Sequence, residues 1–70
     1  MSNTVDARGL SCPQPVILVR QALTIAGSGK ITVLVDNPTA RDNVSRAARS
    51  LGWATEVIPQ GDDFKVKLIR

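Results

Sequence analysis

The sequence predicts an α/β two-layer sandwich of order βαβαββ, with a mixed four-stranded sheet and two helices on one face. Three observations predict it. Turn-forming residues divide the 70-residue chain into short pieces. Apolar residues recur at helical spacing in two of these pieces and alternate in the strand-like ones. The last two pieces are joined by a tight Gln60-Gly61-Asp62-Asp63 turn. Helices crossing over between strands imply parallel neighbours with right-handed connections, and the closing hairpin is antiparallel, so the sheet is mixed. Each helix has one apolar face, and both must cover the same side of the sheet.

Thr4 to Ala7 reads as the first strand, followed by the loop Arg8-Gly9-Leu10-Ser11. Pro13 to Ala26 reads as a helix stopped by Gly27-Ser28-Gly29. On it Pro15, Val16, Val19, Ala22, Leu23 and Ala26 form the core face, and Gln14, Leu18, Gln21 and Ile25 the opposite one. Lys30 to Asp36 alternates as a strand, with Ile31, Val33 and Val35 on one side. Asn37 caps the second helix, and Pro38 at its first position loses only an amide that has no partner. Ala40, Val44, Ala47, Ala48 and Leu51 share one face of that helix, and Gly52 suits its left-handed end. Trp53 to Ile58 is a third strand ended by Pro59, and Phe64 to Ile69 a fourth. Thr32, Lys65 and Lys67 fall on the sheet face that the helices leave open.

The composition narrows the chemistry. Residues 1–70 are expected to form a single domain, too small to enclose a ligand cavity. No run is long enough to span a bilayer, and the first residues carry neither basic nor apolar leader features. A cytoplasmic location is expected. One cysteine and no histidine exclude an internal disulfide, a zinc site built by this chain, and Cys-His or Ser-His hydrolysis. No metal or cofactor is expected. The net charge of +3 favours anionic partners, but the basic residues are scattered rather than striped, so direct nucleic-acid binding is not expected.

The informative stretch is Asp6-Ala7-Arg8-Gly9-Leu10-Ser11-Cys12-Pro13-Gln14-Pro15. Cys12 falls where the first helix takes its N-cap. Pro13 disfavours the α region for the residue before it and presets the first helical φ. Pro15 removes a further amide, leaving those of Gln14 and Val16 beside the sulfur. A helix N-terminus favours thiolate over thiol, and Arg8 is placed to add to that field. The same setting stabilises a persulfide anion. A lone cysteine is most often a small buried hydrophobe, yet that does not explain a thiol where Ser, Thr, Asp or Asn would cap better. No second cysteine is present to resolve a bound sulfur, which suits a carrier. Asp6 is a candidate to hold the loop through its amides, and an ordinary strand-end turn acid is the rival reading.

Val5 to Val16, with Cys-Pro-x-Pro after Asp-Ala-x-Gly-Leu, resembles the signature of the TusA (SirA, YedF) family of sulfur carriers. Val35-Asp36-Asn37-Pro38 followed by Ala40-Arg41 is similar to that family's second junction, and the resemblance is nearest to YedF-type N-terminal domains. It implies a sandwich like the C-terminal domain of a translation initiation factor. It also implies that Cys12 takes a sulfane sulfur from a persulfide donor, such as a cysteine desulfurase or rhodanese. The sulfur would pass to an acceptor protein, a DsrE-like one among the candidates, in tRNA thiolation or related sulfur or selenium metabolism. Cys12 is then the catalytic candidate, supported by Pro13, Gln14, Pro15, Arg8 and Asp6. Leu18 and Ile25 are the candidate docking residues.

Two other readings compete. One is a non-catalytic regulatory or binding module acting on nucleic acid or protein. The other is a redox sensor oxidised at Cys12, made less attractive by the missing resolving thiol. Trp53 reads as a packing residue rather than a base-stacking platform, since the only other aromatic, Phe64, alternates into the core.

Overall fold

The structure is a computed structural model and describes residues 2–10 and 14–70. Its elements run β1 (Ser2–Asp6), α1 (Gln14–Ala26), β2 (Lys30–Val35), α2 (Pro38–Ser50), β3 (Ala54–Gln60) and β4 (Asp63–Ile69). This is the expected βαβαββ order. The sheet is mixed and ordered β1-β2-β4-β3. β1 and β2 are parallel, with Val5 opposite Val33. β4 is antiparallel to both β2 and β3.

One expectation about the crossovers is corrected. The connection through α2 was expected to make β2 and β3 parallel neighbours. They do run in the same direction, but β4 lies between them. The tight turn after β3 folds β4 back into the open edge of β2. There Ile31, Val33 and Val35 meet Leu68, Val66 and Phe64. The most apolar strands therefore sit at the centre, and β3, with its proline, stays at the rim.

That position also explains why β3 outruns its predicted end. Pro59 was expected to stop the strand, yet it pairs with Phe64 inside it. On an edge strand, one row of amides has no sheet partner, so a missing N–H is tolerated.

The core lies between the sheet and the two helices. It is built from Val19 and Leu23 of α1, Ala40, Val44 and Ala48 of α2, the inward residues of β2 and β4, and Trp53. α2 is bounded as its sequence predicts. Asn37 has extended backbone and its side chain accepts from the Ala40 amide at 2.7 Å. At the other end Gly52 takes φ +87°. The Trp53 and Gly52 amides donate to the Ala48 and Arg49 carbonyls at 3.0 Å each. This is a Schellman closure, which needs a left-handed residue at that point. It also aims Trp53 back under the helix, where it is 3% exposed. Leu51, expected on the buried face, is instead the C-cap and stands 36% exposed.

On α1 the core face is as expected, with Pro15, Val19 and Leu23 buried. The opposite face needs correcting. Ile25 is 86% exposed, but Leu18 is only half-buried, and Ile17 is the more exposed residue near the start. With 3.6 residues per turn, Leu18 lies one turn from Ala22, on the flank of the apolar stripe. Ile17 occupies the far side. Asp42 pairs with Arg41 at 2.9 Å, and that hydrogen bond is the chief cause holding its carboxyl below the usual range.

Candidate functional site

Parallel pairing puts the carboxyl ends of β1 and β2 side by side, and Val35 of β2 lies opposite Phe64 at the start of β4. The β3–β4 turn and the N-terminus of α2 therefore share one end of the molecule with the loop that follows β1. In open α/β sheets this is the end where sites are built, because several loops converge there. Gln14, the first residue of α1, follows that loop after three residues of sequence.

The loop after β1 is held at each of its first residues. The Ala7 amide donates to the Leu34 carbonyl at 2.9 Å, prolonging the β1–β2 ladder, and Ala7 is buried. Asp6 takes three hydrogen bonds from Arg8. The Arg8 amide reaches Oδ1 at 3.1 Å, and the guanidinium grips both carboxylate oxygens at 2.9 Å. Arg8 also pairs with Asp63 of the β3–β4 turn at 3.5 Å. Gly9 adopts φ +76°, where nothing lies within 4 Å of an added Cβ. Glycine is required there for backbone conformation, not for space. In that conformation its amide donates to Asp36 Oδ2 at 2.7 Å. Asp36 Oδ1 accepts from the Asn37 side-chain amide at 3.0 Å.

The electrostatics differ from the sequence expectation for Arg8. Its charge is met by Asp6 and Asp63, and Asp36 and Asp62 stand at the same end. Of the described residues here, the rim is thus acidic although the chain is net basic. The Arg8 hydrogen bonds pull the Asp6 carboxyl down from an ordinary 3.8 to about 2. The pairing in turn pushes the Arg8 guanidinium further up. The Asp6 contribution to stability is present above pH 3.8 and is lost as pH falls through about 2. Both side chains are about half exposed, so the pair orders the loop more than it stabilises the fold. Replacing Arg8 by Gln should raise the Asp6 midpoint from about 2 toward 3.8 without reaching it, because the backbone amide at position 8 still donates to the carboxylate; carbon NMR of the carboxyl reads it. A midpoint that stays near 2 would assign the shift to another partner.

Asp6 and Arg8 are therefore brought together. Gln14 is exposed and Pro15 buried at the start of α1. Ser11, Cys12 and Pro13 lie outside the described residues, and with them the expectation that Cys12 caps α1. Sequence reasoning missed Asp63 as a partner of Arg8, and read Asp36 only as a strand end within the Val35-Asp36-Asn37-Pro38 junction. Neither contact has a local signal, because each joins loops 27 or more residues apart. Among the described residues there is no cluster of His, Cys, Asp and Glu suited to a metal ion. No helix of the described residues is long and apolar enough to cross a membrane.

The family model described as Sulfurtransferase TusA matches residues 3–70. The chain belongs to the TusA family. The sulfur carrier protein TusA of Pseudomonas putida strain F1 is 32% identical over 60 residues, which cover 84% of this chain and 72% of that protein. A putative sulfur carrier protein of Archaeoglobus fulgidus is 31% identical over 71 residues, covering 94% and 92%. The crystal structure of a SirA-like protein from Desulfitobacterium hafniense superposes with a TM-score of 0.88. It is 36% identical and covers 96% of this chain and 95% of its own. The TusA fold expected from the Cys-Pro-x-Pro signature is thus the fold found.

Proposed function

We propose that this TusA-family chain is a sulfur carrier whose Cys12 accepts sulfane sulfur as a persulfide and delivers it to an acceptor protein. The observation that carries the reading is the TusA match over residues 3–70, which spans the Cys-Pro-x-Pro motif. The loop geometry supports it. The residues leading into Cys12 are fixed by the Ala7, Arg8 and Gly9 bonds at the end of the molecule where the strands finish.

In the first step the Cys12 thiolate attacks the outer sulfur of a donor persulfide. One S–S bond breaks, one forms, and the donor leaves as a thiolate. In the second step an acceptor thiolate attacks the outer sulfur on Cys12 and restores the Cys12 thiolate. Neither step needs a net oxidant, and the rate follows thiolate fraction and access. The donor is of the cysteine desulfurase or rhodanese kind. The α1 flank carrying Leu18 and exposed Ile25 is the docking candidate.

Intact-mass spectrometry tests the reading. After incubation with a cysteine desulfurase and cysteine, the chain should gain one sulfur atom, released by a reducing thiol and absent in Cys12→Ser. No gain with either a desulfurase or an inorganic polysulfide would overturn it.

A further inference from the structure

We infer that the groove between α1 and α2 is a docking surface for an acidic, partly apolar segment of another protein. The inference goes beyond the carrier reading and does not depend on it, because docking is read as binding, without sulfur transfer.

The charge of the chain is segregated. α1 and α2 carry four arginines and one aspartate, a balance of +3 that equals the net charge of the whole chain. Elsewhere the basic and acidic side chains are equal in number, five of each. α1 has no acidic residue, and the one aspartate of α2, Asp42, is held by Arg41 at 2.9 Å. Among the described residues no carboxylate forms an ion pair with Arg20, Arg46 or Arg49.

These three arginines are scattered in sequence but share one groove. Val16 and Arg20 of α1 face Asn43, Arg46, Ala47 and Ser50 of α2 across a shallow hollow. A second hollow shares Arg46 and Ser50 with the first and runs on to Arg49 and Asp42. Val16 is half-buried and Ala47 buried, so the floor is apolar, while the three arginines are exposed.

Helix stability explains only one of them. Arg49 lies in the last turn of α2, where a cation suits the helix dipole, and its Nε donates to the Ser45 carbonyl at 3.3 Å. Arg20 and Arg46 lie away from the helix ends and gain nothing from the dipole.

The chemistry of the groove selects its occupant. A guanidinium fork takes a carboxylate or a phosphate in two parallel bonds. Neither helix has an aromatic side chain on which a base would stack. The balanced charge outside the helices leaves no basic stripe for a nucleic-acid backbone to follow. An apolar floor between cationic walls instead suits an amphipathic segment, with aliphatic side chains over Val16 and Ala47 and carboxylates on the arginines.

The probe is a synthetic helical peptide of about twelve residues, built from leucine and glutamate in amphipathic spacing. It is titrated into the isotope-labelled full chain and followed by amide NMR. The shifts should concentrate at Val16, Arg20, Arg46, Ala47 and Ser50, and the binding should weaken as salt is raised. Arg46→Glu should lower the affinity about tenfold and Arg46→Gln about threefold, the scale of an exposed pair reversed or removed. Lys67→Glu makes the same charge change on the sheet face that the helices leave open, and should stay within about twofold of the parent. The amide spectrum of each variant reports its fold, and Arg46→Gln decides if Arg46→Glu does not fold.

Shifts spread over the sheet, no shift at millimolar peptide, or equal weakening by Lys67→Glu and Arg46→Glu would overturn the inference. So would an oligouridylate of equal charge that binds the groove as tightly as the peptide, which would assign the surface to nucleic acid. Failure of Cys12 to take up sulfur would overturn the carrier reading and leave these outcomes unchanged.

Discussion

Trp53→Ala is expected to cost about 3–5 kcal/mol of stability, the range for emptying a large buried aromatic site. A chain of this size has a total of only about 4–10 kcal/mol at ordinary stability per residue. The variant should therefore be partly or wholly unfolded at physiological temperature. Trp53 is 3% exposed and packs in the cluster with Leu23 and Ala48. Its backbone amide closes the C-terminus of α2 on Ala48, so the side chain fills the angle between helix end and sheet. The surroundings are already tied at this point by the Schellman bonds and cannot collapse freely into the space. Urea denaturation should show a lower midpoint with little change in slope. Ile25→Ser, at an 86% exposed position, should shift the midpoint by less than the equivalent of about 0.5 kcal/mol. A small effect at Trp53 would mean that α1 and α2 close over the gap.

The same residue shows what the sequence made legible. Gly52 before Trp53 marked both the helix end and the strand start, because only a left-handed residue reverses the chain there. The Asn37-Pro38 start of α2 was legible for a similar reason: its cap is made by residues three apart. Local chemistry of this kind recovered the element order and most of the core.

What was not legible is what depends on which strands meet. β4 lies between β2 and β3, and no local pattern reports that. The continuation of β3 through Pro59 follows from its edge position, which is again a property of the sheet order. The Gly9–Asp36 and Arg8–Asp63 contacts arise because that order gathers three loops at one end. Arg8 was read from sequence as a free cation beside the cysteine. The structure places two carboxylates on it, one local and one from the hairpin turn.

The open face of the sheet supports the second large effect. Lys65→Val with Lys67→Val should make the chain self-associate, with a mass by light scattering that rises with concentration while the parent's does not. Register places Leu34, Lys65 and Ile58 in one row across β2, β4 and β3, and Thr32, Lys67 and Glu56 in the next. Ile69, at 44% exposed, follows beside Ala54. Both lysines thus stand on a central strand whose outer face neither helix covers, Lys65 between apolar Leu34 and Ile58 and Lys67 between Thr32 and Glu56. Their stems lie along that apolar surface while the charged ends stay in water. Two such faces cannot stack without burying the ammonium of Lys65, which has no carboxylate opposite it, and that is a large penalty. Replacing the two lysines by a strand-favouring apolar residue removes that penalty and joins Leu34, Ile58 and Ile69 into one patch. Patches larger than a few hundred Å² on a soluble chain drive association. The fold should tolerate the change, since valine suits a pleated strand and the inner face is untouched. Far-ultraviolet circular dichroism should therefore match the parent at low concentration. A concentration-independent mass equal to the parent's would show that Lys30, Glu56 and the sheet twist suffice to keep the face from pairing.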